Sequence, residues 1–205
     1  MKKNPVIMVV DDDSGVRNAM RSLLKSVGLE CALYGSAQEF LAAWQPSQPG
    51  CLVLDIRMPG MSGLELQQQL NLRGAVIPVI FMTGHGDIPM AVEAMQHGAF
   101  DFLQKPFRDQ DLLDRIQKAV AKDAEQRQSL GEHERIKAHL KSLTEREREV
   151  LDLMTQGKQN KVIAQDLGVS PRTVEIHRAR VMEKMSAQSV AQLVRMMLDL
   201  EHASH

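Results

Sequence analysis

At 205 residues the chain is too long for one small module and of a size for two ordinary domains. Its make-up, 43% hydrophobic and 25% charged with 8 prolines and 13 glycines, is that of a folded soluble protein. The net charge of −1 excludes a global basic field, so any nucleic-acid binding must come from a local patch. Apolar runs such as Val6–Val10 are far short of the roughly 20 residues needed to cross a bilayer, so no membrane role is expected. The start, Met1-Lys-Lys-Asn-Pro followed by a short apolar run and three acids, does not read as a signal peptide. The two cysteines, Cys31 and Cys51, sit in apolar strand-like runs and read as reduced, buried thiols of a cytoplasmic protein.

From residue 5 to about 120, short β-branched or apolar runs alternate with helical patterns. The runs are Val6–Val10, Cys31–Tyr34, Cys51–Leu54, Val76–Met82 and Ala99–Leu103. Between the first two, Val16, Met20, Leu23, Leu24 and Val27 have helical spacing, closed by Gly28, and Ser36-Ala-Gln-Glu39 reads as a capping box. This grammar predicts an α/β, doubly wound, five-stranded parallel sheet, with ligand sites beyond the carboxyl ends of its strands. Residues 121–141 are polar and charge-rich, lack proline and predict a solvated helical linker. After Leu143 no β-rich run remains. Thr144-x-x-Glu147 and Ser170-Pro171 open helices, Gly157 and Gly168 end them, and a small all-α domain of four short helices is expected over 142–205.

Asp11, Asp12 and Asp13 follow the first strand directly, and Asp55 follows the third. The first and third strands of such a sheet can be neighbours, which would crowd these carboxylates into one pocket. A cation must then neutralise them, and hard oxygen ligands at a crevice favour Mg²⁺. Thr83 at the end of the fourth strand offers a hydroxyl, and Lys105 before Pro106 an ammonium. Each residue alone is ordinary turn chemistry. Together they describe a phosphoryl site with one aspartate as nucleophile.

The segments Val9-Val-Asp-Asp-Asp13, Leu52-Val-Leu-Asp-Ile-Arg-Met-Pro-Gly-Met-Ser-Gly-Leu64 and Asp101-Phe-Leu-Gln-Lys-Pro-Phe107 resemble the receiver domain of two-component response regulators. Phe81-Met-Thr-Gly-His-Gly-Asp-Ile-Pro-Met-Ala-Val92 is similar to the FixJ-type subgroup in particular. The resemblance implies a receiver over 5–120. Asp55 then accepts a phosphoryl group from a histidine kinase, while Asp11, Asp12, Asp55 and the backbone carbonyl of Arg57 hold Mg²⁺. Thr83 and Lys105 bind phosphoryl oxygens, and Phe102 is the aromatic switch position that turns inward. Asp13 has no such role and reads as a solvated helix N-cap, and His85 as an ordinary loop histidine. The resemblance also raises a cis Lys105–Pro106 bond.

In the tail, Gly168 and Ser170-Pro171 separate two helices, and Val174, Val181 and Met185 form a buried stripe on the second. This is the pattern of a helix-turn-helix with a recognition helix. Lys158–Lys184 holds six basic residues against three acids, +3, whereas the tail from Ser142 has nine of each. Leu143-Thr-Glu-Arg-Glu-Arg-Glu-Val-Leu151, Gly157, Asn160-Lys161, Ile163-Ala164 and Ser170-Pro-Arg-Thr-Val-Glu-Ile-His177 resemble the LuxR-type DNA-binding domain. The resemblance implies phosphate contact or docking by Asn160, Lys161, Arg172, Thr173, His177 and Arg178, and groove-facing positions at Glu175 and Ile176. Many relatives carry a basic residue at the position of Glu175, so their operator preference does not transfer. The last helix, with Leu193, Val194, Met196, Met197 and Leu200, is core or a dimer contact.

The reading is a phosphorylation-controlled transcription regulator rather than an enzyme. Its expected partners are a sensor histidine kinase, double-stranded promoter DNA, a second copy on activation and, as a possible further partner, RNA polymerase. Two rivals remain. A Mg-dependent hydrolase would need a carboxylate two residues after its nucleophile, where Arg57 stands. A phosphorylation-independent DNA-binding regulator would not need Asp11, Asp12, Asp55, Thr83 and Lys105 all intact.

Overall fold

Five strands, β1 (Val6–Val10), β2 (Glu30–Tyr34), β3 (Gly50–Asp55), β4 (Val79–Thr83) and β5 (Asp101–Gln104), pair in parallel in the order β2-β1-β3-β4-β5. Helices α1 (Ser14–Ser26), α2 (Ala37–Ala43), α3 (Gly63–Leu72) and α4 (Ile88–Gln96) carry the crossovers. The computed structural model describes residues 4–84 and 88–202.

Alternation along the strands splits the core between two faces. Met8, Val10, Leu52, Leu54 and Phe81 pack with Phe40, Leu66 and Ala94 on one side. Ile7, Val9, Cys51, Val53, Ile80 and Met82 pack with Met20, Leu24, Leu112 and Ile116 on the other. Both faces are therefore apolar, and the strands read as continuous hydrophobic runs. The fourth strand starts at Val79 rather than Val76, because Pro78 has no N–H for the ladder and only its carbonyl is used, by Leu52 N–H. The fifth starts at Asp101 rather than Ala99, whose N–H instead closes α4 on Ala94 O at 3.0 Å.

Local caps set the helix starts. Asp13 is the exposed N-cap of α1, its carboxylate accepting from Gly15 N–H and Val16 N–H. Ser36 caps α2 through Glu39 N–H, but the Glu39 carboxylate accepts from Gly35 N–H, one residue before the cap. The reciprocal box expected at Ser36–Glu39 is therefore only half formed. A full box stands instead at Ser62–Glu65, opening α3.

Helix α5 (Asp109–Ser142) is uninterrupted over 34 residues. By contacts the chain divides into two units, Met1–Arg127 and Gln128–His205. Residues of α5 belong to both: Asp123 is buried in the first, and Ile136 in the core of the second. The second unit adds α6 (Glu145–Thr155), α7 (Asn160–Leu167), α8 (Pro171–Lys184) and α9 (Val190–His202). Val150, Leu151, Met154, Ile163, Val174, Val181, Met185 and Leu193 make its core, with Met196, Met197 and Leu200 packed against it. Among the described residues no helix is long and apolar enough to cross a membrane.

Candidate functional site

Because all five strands run the same way, their carboxyl ends share one edge of the sheet. Asp11 follows β1 directly, Asp55 ends β3, Thr83 ends β4 and Lys105 follows β5. The Lys105 ammonium donates to Asp55 Oδ1 at 2.6 Å and to Asp11 Oδ2 at 2.9 Å. Asp11 is 1% exposed and Asp55 8%. Their remaining oxygens are also used. Asp13 N–H donates to Asp11 Oδ1 and Arg57 N–H to Asp55 Oδ2, each at 2.9 Å. The Arg17 guanidinium donates to Asp11 O at 2.6 Å, bracing the β1–α1 turn. Thr83 is buried, and its carbonyl accepts from Lys105 N–H at 2.7 Å, joining the hydroxyl-bearing and ammonium-bearing strand ends. The Lys105–Pro106 bond is cis.

Burial raises the Asp55 carboxyl above its usual range, and the Asp11 charge adds to this. The Lys105 hydrogen bond and charge and the Arg57 N–H oppose both without cancelling them. For Lys105, burial works against the ammonium, but its bonds to Asp55 and Asp11 outweigh burial and hold its pKa above the ordinary value. The Asp11 and Asp55 carboxylates against one ammonium leave the buried group with a surplus of negative charge. A divalent cation with hard-oxygen preference fits that surplus. Among the described residues no three His, Cys, Asp or Glu side chains form a metal cluster by themselves. Two carboxylates completed by a backbone carbonyl and water are what Mg²⁺ takes, so the residues present fit it.

The structure does not gather every expected residue. Asp12 is exposed, outside the Lys105-centred group. The Phe102 ring, opposite Phe81 in register, is 39% exposed. His85 lies outside the described residues. Two contacts escaped sequence reasoning. Arg57, expected only through its backbone carbonyl, also acts on Asp55 through its backbone N–H, which no side-chain pattern reveals. Gly63, opening α3, approaches so closely that a Cβ there would lie 2.3 Å from Asp55 O. The Ser62-x-x-Glu65 pattern was the available signal for that helix start.

In the second unit, Ser170 caps α8 through Thr173 N–H at 3.1 Å with Pro171 in the first turn, and Gly168 closes α7 in the left-handed conformation, φ 65°. Val174, Val181 and Met185 are fully buried, which turns Arg172, Glu175, Ile176 and Arg180 outward. Lys161 is exposed on α7, and Asn160, Thr173, His177 and Arg178 are half-buried. The Thr173 hydroxyl is engaged with that of Ser170 at 2.8 Å. A half-buried ion pair braces the unit: Lys184 donates to Glu147 at 2.6 Å and to Ser142 O at 3.2 Å.

Two family models match the chain, the response regulator receiver domain over residues 7–117 and the luxR family of bacterial regulatory proteins over 141–197. The chain belongs to the response regulators. Its relatives include the transcriptional regulatory protein FixJ of Azorhizobium caulinodans, 48% identical over 97% of this chain and 94% of that one. The response regulator TodT of Pseudomonas putida is 45% identical over 93% and 84%. Among solved structures, the response regulator StyR is 47% identical at a TM-score of 0.88, covering 95% of this chain and 98% of that one. Full-length FixJ from B. japonicum is 40% identical at 0.59, covering 98% and 99%. This response regulator therefore joins a receiver to a LuxR-type DNA-binding domain and regulates transcription. Receivers take a phosphoryl group from a kinase and in general bind Mg²⁺ at that site.

Proposed function

We propose that Asp55 is the phosphoryl acceptor and that its modification controls DNA binding by residues 142–205, through a receiver of 5–120 and a helical linker of 121–141. The carrying observation is the Lys105 ammonium held between Asp55 Oδ1 and Asp11 Oδ2. An Asp55 carboxylate oxygen attacks the phosphorus of a phosphohistidine on a sensor histidine kinase. The new P–O bond forms as the P–N bond breaks, and the histidine nitrogen keeps the electron pair and takes a proton. Lys105 meets charge developing on the phosphoryl oxygens, and the Thr83 hydroxyl binds a second oxygen. Asp11, Asp12, Asp55 and the Arg57 carbonyl would hold Mg²⁺, which when bound neutralises charge on the transferring group.

Drawing Thr83 toward the phosphoryl group vacates space at the sheet edge, and the Phe102 ring turns inward to fill it. A two-state face is thereby biased, and a hundredfold change in the binding-competent population needs only about 2.7 kcal/mol. Asn160, Lys161, Arg172, Thr173, His177 and Arg178 dock on the phosphate backbone, with Glu175 and Ile176 in the major groove, where Glu175 accepts from cytosine N4. The active form is a homodimer on promoter DNA in the cytoplasm, where RNA polymerase is a further partner, and we assign the chain no turnover beyond its own phosphoryl transfer. The test is operator binding and sizing of wild type and Asp55→Asn, each with and without acetyl phosphate, on a duplex selected from a random-sequence pool. Tighter binding and dimer formation in the wild type alone support the reading; identical binding by both proteins contradicts it.

A further inference from the structure

The face of α5 turned to the sheet is apolar through Leu112, Ile116 and Ala119, all buried. At the next two positions of that stripe stand Asp123 and Arg127. Asp123 is 1% exposed and yet charged, so its partners must replace water. Its Oδ2 accepts from Gly50 N–H at 2.9 Å, and both its oxygens accept from Arg127 Nε at 2.8 Å. The Arg127 guanidinium goes on to donate to Pro46 O at 2.7 Å and to Gln48 O at 2.8 Å. One turn of helix is thus tied to the segment 46–50, just where β3 begins.

The far side of this strap is all backbone, and it is crowded. Gly50 has φ 141°, and a Cβ on it would fall 1.9 Å from Val6 O. Val6 N–H in turn bonds Pro49 O at 2.9 Å. The starts of β1 and β3 and the segment before β3 therefore meet under α5, and the Asp123 and Arg127 side chains bind the helix to them. Burial and the Asp123 charge together push the neighbouring Cys51 thiol up to about 12, so it stays protonated beside the carboxylate. The receiver family match ends at residue 117, whereas the compact unit continues to Arg127, the second residue of the strap.

We propose that the Asp123–Arg127 strap anchors α5 to the receiver and is required for phosphoryl control of DNA binding, but not for phosphoryl uptake. The inference rests on the function proposed above. β3 carries Asp55 at one end and the strap at the other, and the helix so fastened continues into the DNA-binding unit. With the strap cut, α5 keeps its apolar stripe and the Arg115–Asp101 ion pair to β5, at 3.0 Å, both of which lie before residue 121, and the helix past Val120 opens independently of the receiver.

The test compares full-length wild type, Arg127→Met, and the paired Asp123→Leu/Arg127→Leu variant, in which apolar contact replaces the ion pair. Three readouts run in parallel: phosphoryl uptake from acetyl phosphate by intact mass, amide exchange over 121–131, and the ratio of DNA affinities with and without the donor. For Arg127→Met we expect uptake within about twofold of wild type, exchange faster by at least about tenfold, equal to about 1.4 kcal/mol, and a donor-dependent ratio reduced at least about threefold. The paired variant, which strands no buried charge but leaves Gly50 N–H, Pro46 O and Gln48 O without these partners, shows the same faster exchange and reduced ratio, because the ties to 46–50 rather than the charge are what matter. Unchanged exchange in Arg127→Met, or faster exchange with an unchanged ratio, overturns the inference. A wild type that takes up no phosphoryl group overturns the function reading itself, visible in the first readout before any variant is compared.

Discussion

The Lys105 ammonium lies 2.6 Å from the Asp55 carboxylate, joining residues fifty positions apart. That contact lets two buried acids stand side by side, since without it Asp11 and Asp55 would face one another with no cation. On the function proposed above, the same ammonium would meet a phosphoryl oxygen once Asp55 is modified.

Lys105→Met therefore has a defined phenotype. Asp55 loses the bond and charge that oppose burial, so its pKa climbs further above the ordinary carboxylate range. Phosphoryl uptake from acetyl phosphate should slow at least about tenfold, with the rate–pH profile displaced to higher pH. An unshifted profile with an unchanged rate would remove Lys105 from the account.

Gly63 is a test of packing behind the acceptor. A methyl group there would lie 2.3 Å from Asp55 O and 3.0 Å from the Phe81 ring, so β3 and α3 must separate. Gly63→Ala should cost about 1–3 kcal/mol, read as a lowered urea midpoint, and slow uptake by moving Asp55 off its partners. Wild-type stability in this variant would show that the edge is looser than these distances imply.

The DNA-binding unit carries an acid-sensitive brace. Glu147 is 3% exposed, and the hydrogen bond from Lys184, then the Thr144 N–H, hold its carboxyl down to about 2. A carboxyl depressed in the folded state stabilises above its unfolded pKa, near 4.3, and that contribution fades as pH falls toward 2. Thermal unfolding of the full chain, read by amide exchange over 145–202 and followed from pH 6 to 2, should show a fall in stability through this window that is absent in Glu147→Gln. The variant should also melt lower at pH 6, because Lys184 then meets a neutral amide oxygen in place of a carboxylate.

Docking and reading separate by salt. Lys161→Ala on α7 should weaken binding across duplex sequences and reduce the slope of log affinity against log salt by about 0.9. Glu175→Gln carries no phosphate contact and should leave the slope in place while changing base preference at one step of each half-site. Equal slopes for wild type and Lys161→Ala would take that lysine off the backbone.

Most of the receiver rim was legible in the sequence, because a strand end is a place where chemistry and position coincide. Asp11, Asp55, Thr83 and Lys105 each terminate or follow an apolar run, and parallel pairing brings those ends to one edge. The strap was not legible. Asp123 and Arg127 lie in a charge-rich stretch whose i, i+4 pairing reads as a solvated face, and only the folding of residues 46–50 against it buries the acid. Caps show the same limit at finer scale: Ser36-x-x-Glu39 carries the pattern of a box, yet Gly35 N–H captures the glutamate. The exposure of Phe102 is likewise a property of conformation, which residue identity does not encode.

The central claim is that one carboxylate receives the phosphoryl group, and intact-mass measurement tests it most directly. Full-length protein with Mg²⁺ and acetyl phosphate should gain a single phosphoryl group per chain, and Asp55→Asn, treated alike, none. Equal gain in both proteins, or no gain in the wild type, would contradict the account.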